Sequence, residues 1–229
     1  MAAMAWRTIT RVVSWCLMLS VPATGTAALD SRGSADVAAL AAARVVTVVC
    51  PGQTMSGQAP EPPPASVAAP TVTPGQASRL RAYSFGRWSW VLAPRGWRCR
   101  GASGSGGVHI DASHGGRSLQ LYDGAYANHA IALACDIFPS AYQRARATNR
   151  GFLCSGTTLT VGRGGSITRT PNLVTISDPQ NGEKRLRYVW WFPSKEIAAE
   201  LACSASRTSI AFCETAFRDF DRRIRQAAR

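Results

Sequence analysis

Ser209-Ile-Ala-Phe-Cys213-Glu-Thr-Ala-Phe217-Arg-Asp-Phe220-Asp-Arg-Arg-Ile224-Arg225, near the end of a 229-residue chain, decides the fold class. Phe212, Cys213, Ala216, Phe217, Phe220 and Ile224 recur at three- and four-residue steps, while Glu214, Arg218, Asp219, Arg222, Arg223 and Arg225 take the other face. Ser209 suits the N-cap, and the arginines suit the negative end of the helix macrodipole. The result is an amphipathic helix with an apolar stripe to bury. Most of what precedes it reads as strands. Trp88, Trp90 and Leu92 alternate with Ser89 and Val91, and Val108-His-Ile110 and Leu119-Gln-Leu-Tyr122 keep the same period. Residues 131–138 are nearly continuously apolar, as in a strand covered on both faces, and Pro139 ends the run. Residues 157–161, 173–177, 186–192 and 197–203 are further strands, with a hairpin turn at Asp178-Pro-Gln-Asn-Gly182. Residues 142–150 are polar and aperiodic, a short helix or loop. Many strands closed by one helix predict an α+β domain, an antiparallel β-sheet with the C-terminal amphipathic helix packed on one face.

Outward from this region the organisation changes. Residues 1–28 have the layout of a secretory signal peptide: Arg7 and Arg11, an apolar run over residues 12–21, then small residues at Gly25, Ala27 and Ala28. The run is about half the ~20 residues that span a bilayer, so a cleaved signal is expected rather than an anchor. Trp15 before Cys16 and Val49 before Cys50 are not lipobox residues. Residues 29–50 form a short N-terminal segment, alanine-rich and helix-favouring over 36–43 and β-branched over 45–49. Residues 51–78 hold Pro51, Pro60, Pro62, Pro63, Pro64, Pro70 and Pro74 with Glu61 as their only acidic residue, and read as an extended proline-rich linker. The disulfide-stabilised α+β domain then spans residues 79–229.

Loss of Cys16 with the signal leaves Cys50, Cys99, Cys135, Cys154, Cys203 and Cys213. An even count in an exported chain reads as disulfides, with no C-x-x-C pair to suggest zinc. Cys203 closes a strand and Cys213 lies one turn into the helix, so these two are the expected pair; the partners of Cys50, Cys99, Cys135 and Cys154 stay open.

Trp88-Ser-Trp-Val-Leu-Ala-Pro-Arg-Gly-Trp97-Arg-Cys99, Ala134-Cys-Asp-Ile-Phe-Pro139-Ser-Ala141 and Cys203 followed by Cys213-Glu-Thr-Ala-Phe-Arg-Asp-Phe220 resemble uncharacterised secreted proteins of high-GC Gram-positive (actinobacterial) bacteria, over about residues 84–220. A strand leading into Pro94-Arg-Gly-Trp97, with a closing strand–helix pair, is similar to PsbP-like envelope domains. The first resemblance implies export and a disulfide framework, and no activity.

The chemistry-bearing residues are few. His109, His114 and His129 lie in one stretch with Asp111 and Asp123. On a strand His109 and Asp111 share a face, and His114 follows across a turn, so His109, Asp111 and His114 are the candidate metal ligands of a secreted hydrolase. Gly101-Ala-Ser-Gly-Ser-Gly-Gly107 contains neither a G-x-S-x-G elbow nor a phosphate-loop lysine. Gly151-Phe-Leu-Cys-Ser-Gly-Thr157 resembles the strand before the catalytic histidine of trypsin-like proteases, but no histidine follows His129, which excludes that class.

The formal charge is +13, and 24 of the 26 basic residues are arginine. Arg79, Arg81, Arg87, Arg95, Arg98 and Arg100 interleave with Tyr83, Phe85, Trp88, Trp90 and Trp97, which reads first as a core strand with solvated arginines. Without Arg7 and Arg11 there are 24 basic against 13 acidic residues, a mature charge of +11. In an exported protein this favours an anionic cell-wall polymer or lipid surface over nucleic acid. The expectation is an extracytoplasmic, non-enzymatic binding or structural module of the cell envelope with no cofactor; a metal-dependent hydrolase is the alternative.

Overall fold

The structure, a computed structural model, describes residues 42–104, 106–156, 159–180, 183–206 and 210–229. The signal-like residues 1–28, most of the alanine-rich segment, Ser105, Thr157, Asn181, Gly182 and Ser209 lie outside these residues. In chain order the strands are β1 (Ala43–Val49), β2 (Gly52–Thr54), β3 (Ser66–Ala69), β4 (Leu80–Ser84), β5 (Trp90–Pro94), β6 (Arg98–Gly104), β7 (Gly107–His114), β8 (Arg117–Tyr126), β9 (Ser166–Arg169), β10 (Leu173–Gln180), β11 (Glu183–Phe192) and β12 (Ile197–Ser206). The helices are α1 (Pro74–Ala77), α2 (Ala127–Ala134), α3 (Pro139–Ala147) and α4 (Ala211–Ala227), with a 3₁₀ turn at Gly151–Leu153. The strands form a large sheet in the order β2-β6-β7-β8-β12-β11-β10-β9 and a small one in the order β3-β1-β4-β5. Pairing is antiparallel except for β2 with β6 and β1 with β4. This is the expected α+β class, with α4 on one face of the sheet.

Alternation sets the two faces of the large sheet. Ile110, Ala112, Leu119, Leu121, Tyr188, Trp190, Ala199 and Leu201 form one buried layer with Phe220 and Ile224 of α4 and with Tyr83, Val91 and Ala93 of the small sheet. Val174, Ile176, Val189, Trp191 and Ala198 point the other way, against Ala130, Ile131 and Ala134 of α2 and Ala141 and Ala145 of α3. On the α4 side Tyr188 stacks on Phe217 at 4.1 Å between ring centroids, and Trp190 meets Phe220 edge-on at 5.1 Å. The Trp190 indole N–H donates to Asp221 Oδ1 at 2.7 Å, so the buried ring keeps its polar atom satisfied.

Three elements depart from the sequence reading. Residues 131–138 are not a strand: α2 runs to Ala134, followed by a turn and α3. An apolar run this short is ambiguous by periodicity, and its alanines favour helix. The segment 51–78 is not a free spacer. β3 pairs residue by residue with β1, from Ala43↔Ala69 to Val46↔Ser66, and Val67, Ala69 and Val72 are buried. Pro74 occupies the first turn of α1, where its missing N–H costs nothing, and Thr73 with Gln76 forms a capping box. The described residues of the N-terminal segment, 42–50, are part of the fold, since Thr47, Val48 and Val49 pair with Ala82, Tyr83 and Ser84. Finally, residues 159–161 are in no strand; the strand of that region is β9.

Three disulfides join Cys50 with Cys99, Cys135 with Cys154, and Cys203 with Cys213. Cross-links of this kind belong to an oxidising, extracytoplasmic environment. Among the described residues no helix is long and apolar enough to cross a membrane. Thiol labelling of unreduced, unfolded protein is expected to leave all six cysteines unmodified, and modification of any pair refutes its bridge.

Beneath α4 lies a charged cluster. Arg223 Nε donates to Asp219 Oδ2 at 3.1 Å, Nη2 donates to the Trp90 carbonyl at 2.6 Å, and the guanidinium covers the Trp90 ring at 3.6 Å. Burial pushes the carboxyls of Asp219 and Asp123 above the ordinary range, and the Arg223 charge pulls both back. Arg223→Ala removes the main charge that compensates these carboxylates, leaving Arg222 near Asp219 and the Ser89 hydrogen bond to Asp123, and is expected to cost about 3 kcal/mol at neutral pH. With folded-state pKa values raised further above the unfolded ones, the variant gains stability as pH falls and its deficit shrinks. Urea denaturation across that range checks the sign; a deficit that widens on acidification contradicts it.

Candidate functional site

α2 and α3 cover only part of their face of the large sheet. Where they stop, the same alternation that buried Val189 and Trp191 presents polar side chains instead. β7 contributes His109 and Asp111, β8 contributes Ser118, Gln120 and Tyr122, β12 contributes Glu200 and Ser204 with the small Ala202 between them, and β11 contributes Arg185 and Arg187. Two adjoining depressions follow this floor. One, of about 320 Å³, is bounded by His109, Tyr122, His129, Leu133 and Glu200. The other, of about 510 Å³, runs past Leu159, Asp178, Glu183 and Arg187 to Ser118. Gln120 and Ala202 belong to both, so the two form one groove.

Its polar groups are held in place. Arg187 grips Glu200 with both prongs, Nε to Oε1 at 2.6 Å and Nη2 to Oε2 at 2.7 Å, on the diagonal between β11 and β12. Such a fork fixes both planes as well as both charges. Ser204 donates its hydroxyl to Glu183 Oε2 at 2.8 Å, so this serine is held by a carboxylate and not activated by a histidine. His109 stands directly opposite Tyr122, ring centroids 6.4 Å apart. A Cβ on Gly106 would lie 2.6 Å from the Tyr122 hydroxyl and 2.9 Å from His129 Nδ1. Glycine is therefore what lets the β7 end, the tyrosine and the α2 histidine close together as one aromatic lip.

The candidate ligands His109, Asp111 and His114 are not brought together. β7 extends through His114, five residues beyond His109 and about 16 Å along a strand, on the opposite parity. The three line three different depressions: His109 the groove, Asp111 the edge beside Arg98 and Arg100, and His114 the β7–β8 hairpin. Among the described residues no group of three His, Cys, Asp or Glu side chains could hold a metal. The histidine that does join His109 is His129, carried there by α2. Gln120 and Tyr122 were signalled by the alternation of Leu119-Gln-Leu-Tyr122; Glu200 and Arg187 carried no such mark.

No protein-family model and no curated protein matches the chain. Among solved structures it is similar to a GTP binding regulator from Thermotoga maritima, at 15% identity and a TM-score of 0.27, over 54% of this chain and 77% of that one.

Gly106→Ala is expected to displace Tyr122 and His129 while leaving the buried face intact, at a stability cost of about 1–2 kcal/mol. NMR shifts of the His109 and His129 ring protons check this; unchanged shifts refute the close approach.

Proposed function

We propose that the chain is an exported, non-enzymatic binding domain of the cell envelope, and that the half-covered groove takes a polyhydroxylated polymer, a glycan segment of the cell wall. The observation that carries this reading is the open groove floored by planar polar side chains and edged by rings. A sugar hydroxyl both donates and accepts, which suits Gln120 and the Arg187–Glu200 fork, each offering donors and acceptors in a fixed plane. The C–H face of a sugar ring suits the flat surfaces of His109 and Tyr122. Charges along the groove alternate in sign, with Arg185 and Arg187 against Glu183, Glu200 and Asp178, which favours a polar ligand over a strongly charged one. A groove formed of two joined depressions suits an extended chain better than a small molecule. The signal-like residues 1–28, the disulfides and the mature charge of +11 support export and attraction to an anionic wall. The resemblance to secreted actinobacterial proteins agrees with this setting.

Sedimentation with insoluble wall polysaccharide tests the proposal. Retention is expected, and His109→Ala with Gln120→Ala is expected to weaken it about tenfold, roughly the loss of one to two hydrogen bonds. No retention, or equal retention of the double variant, overturns it.

A further inference from the structure

The large apolar side chains that the described residues expose most are Met55 at 78%, Trp88 at 75% and Phe152 at 79%. They are far apart in sequence, yet the topology carries all three to one end of the large sheet, where β6, β8 and β11 finish and β7 and β12 begin. Met55 follows β2, whose parallel pairing with β6 brings it beside Gly104. Trp88, in the β4–β5 turn, borders a cavity of about 460 Å³ with Gly107, Gly124, Ile197 and Ala227. Phe152 is in the 3₁₀ turn tied to this end by Arg150, which donates to Asn128 at the start of α2 and to Glu196 just before β12.

The same end is basic. Arg144 and Arg150 share the single carboxylate of Glu196, and Arg87 pairs with Glu61 while its guanidinium lies 4.8 Å from the Trp88 ring centroid. Arg146 beside Gly151, Lys195 in the β11–β12 turn and Arg229, which follows the Ala227 end of α4, are exposed there as well. Isolated exposed apolar side chains are ordinary on a protein surface. Three of the largest at one end, ringed by arginine, are the composition of an interfacial anchor, in which rings and thioether enter the headgroup–acyl boundary while cations meet phosphate.

We propose that this end docks on an anionic phospholipid bilayer, with Trp88, Phe152 and Met55 inserted and the surrounding arginines and lysine on the lipid phosphates. The groove runs from His109, Tyr122 and His129, on the side of this end, toward Ser118, Glu183 and Ser204 at the opposite end of the sheet. This surface shares no residue with the groove, and either proposal can fail alone.

Co-sedimentation of the purified chain with vesicles of phosphatidylglycerol and phosphatidylcholine, against phosphatidylcholine alone, tests it. Binding to the anionic vesicles is expected, falling as salt screens the charges. Trp88→Ala with Phe152→Ala is expected to weaken it about tenfold or more, with an unchanged melting temperature because both side chains are exposed. Arg146→Gln with Lys195→Gln is expected to lower affinity and flatten the salt dependence. Absence of binding to anionic vesicles, retention on wall polysaccharide alone, or equal binding by the Trp88–Phe152 variant overturns the proposal.

Discussion

Trp190 and Trp191 are adjacent on one strand, point to opposite faces, and are both fully buried. Most of the architecture follows from that constraint. A strand with one solvated face alternates apolar and polar residues; Tyr188-Val-Trp-Trp-Phe192 does not, so it must be covered from both sides. On one side the cover is α4 and the small sheet, and on the other it is α2 and α3. The match is close on the α4 side, where the Trp190 N–H reaches Asp221. On the other side the Trp191 N–H finds no hydrogen-bond acceptor among the described residues. Leaving such a donor unpaired costs about 1–3 kcal/mol, so Trp191 serves there through ring volume, not polarity.

The groove is what remains when the second cover is too short. At 1.5 Å per residue, α2 with 8 residues and α3 with 9 are each about 12–14 Å long. Eight strands spaced about 4.8 Å apart make a sheet some 34 Å wide. Helices of that length lie over β10–β12 and the adjoining end of β8, and leave the β7 surface and the rest of β8 and β12 open. The residues of that surface obey the shortfall, since the faces that hold Val189 and Ala198 under the helices hold Gln120, Glu200 and Arg187 beyond them. The polar floor and the buried tryptophan are thus two parts of one face, separated by the end of a helix.

How much of this was legible in the sequence depended on whether the signal was local. The α4 stripe, the alternating strands and the Cys203–Cys213 corner could be read because period and proximity determine them. The role of residues 51–78 could not, because β3 owes its existence to pairing with β1 across a proline-rich stretch, and only the Thr73-Pro-Gly-Gln76 capping box announced order there. α2 was misread because a strand buried on both faces and a short buried helix present the same apolar run. His114 was misgrouped for a related reason. The number of residues between His109 and the turn sets the parity of the side chain, and β7 continued further than its glycines suggested.

The three disulfides gain their meaning from the two-sided cover. Cys203–Cys213 fastens α4 to β12, Cys135–Cys154 closes the α2–α3 layer on itself, and Cys50–Cys99 fastens the β1–β2 junction to β6. Each bridge therefore holds one of the covers that keep the aromatic strand dry, and none joins, through both of its cysteines, two strands that are already hydrogen-bonded neighbours in the sheet. Closing a loop of 49 residues removes about 4 kcal/mol of unfolded-chain entropy, so the bridge with the longest reach also does most to keep the N-terminal strands on the sheet. A chain whose covers are covalently held in this way can leave a polar groove and an apolar end open to its surroundings without surrendering the core between them.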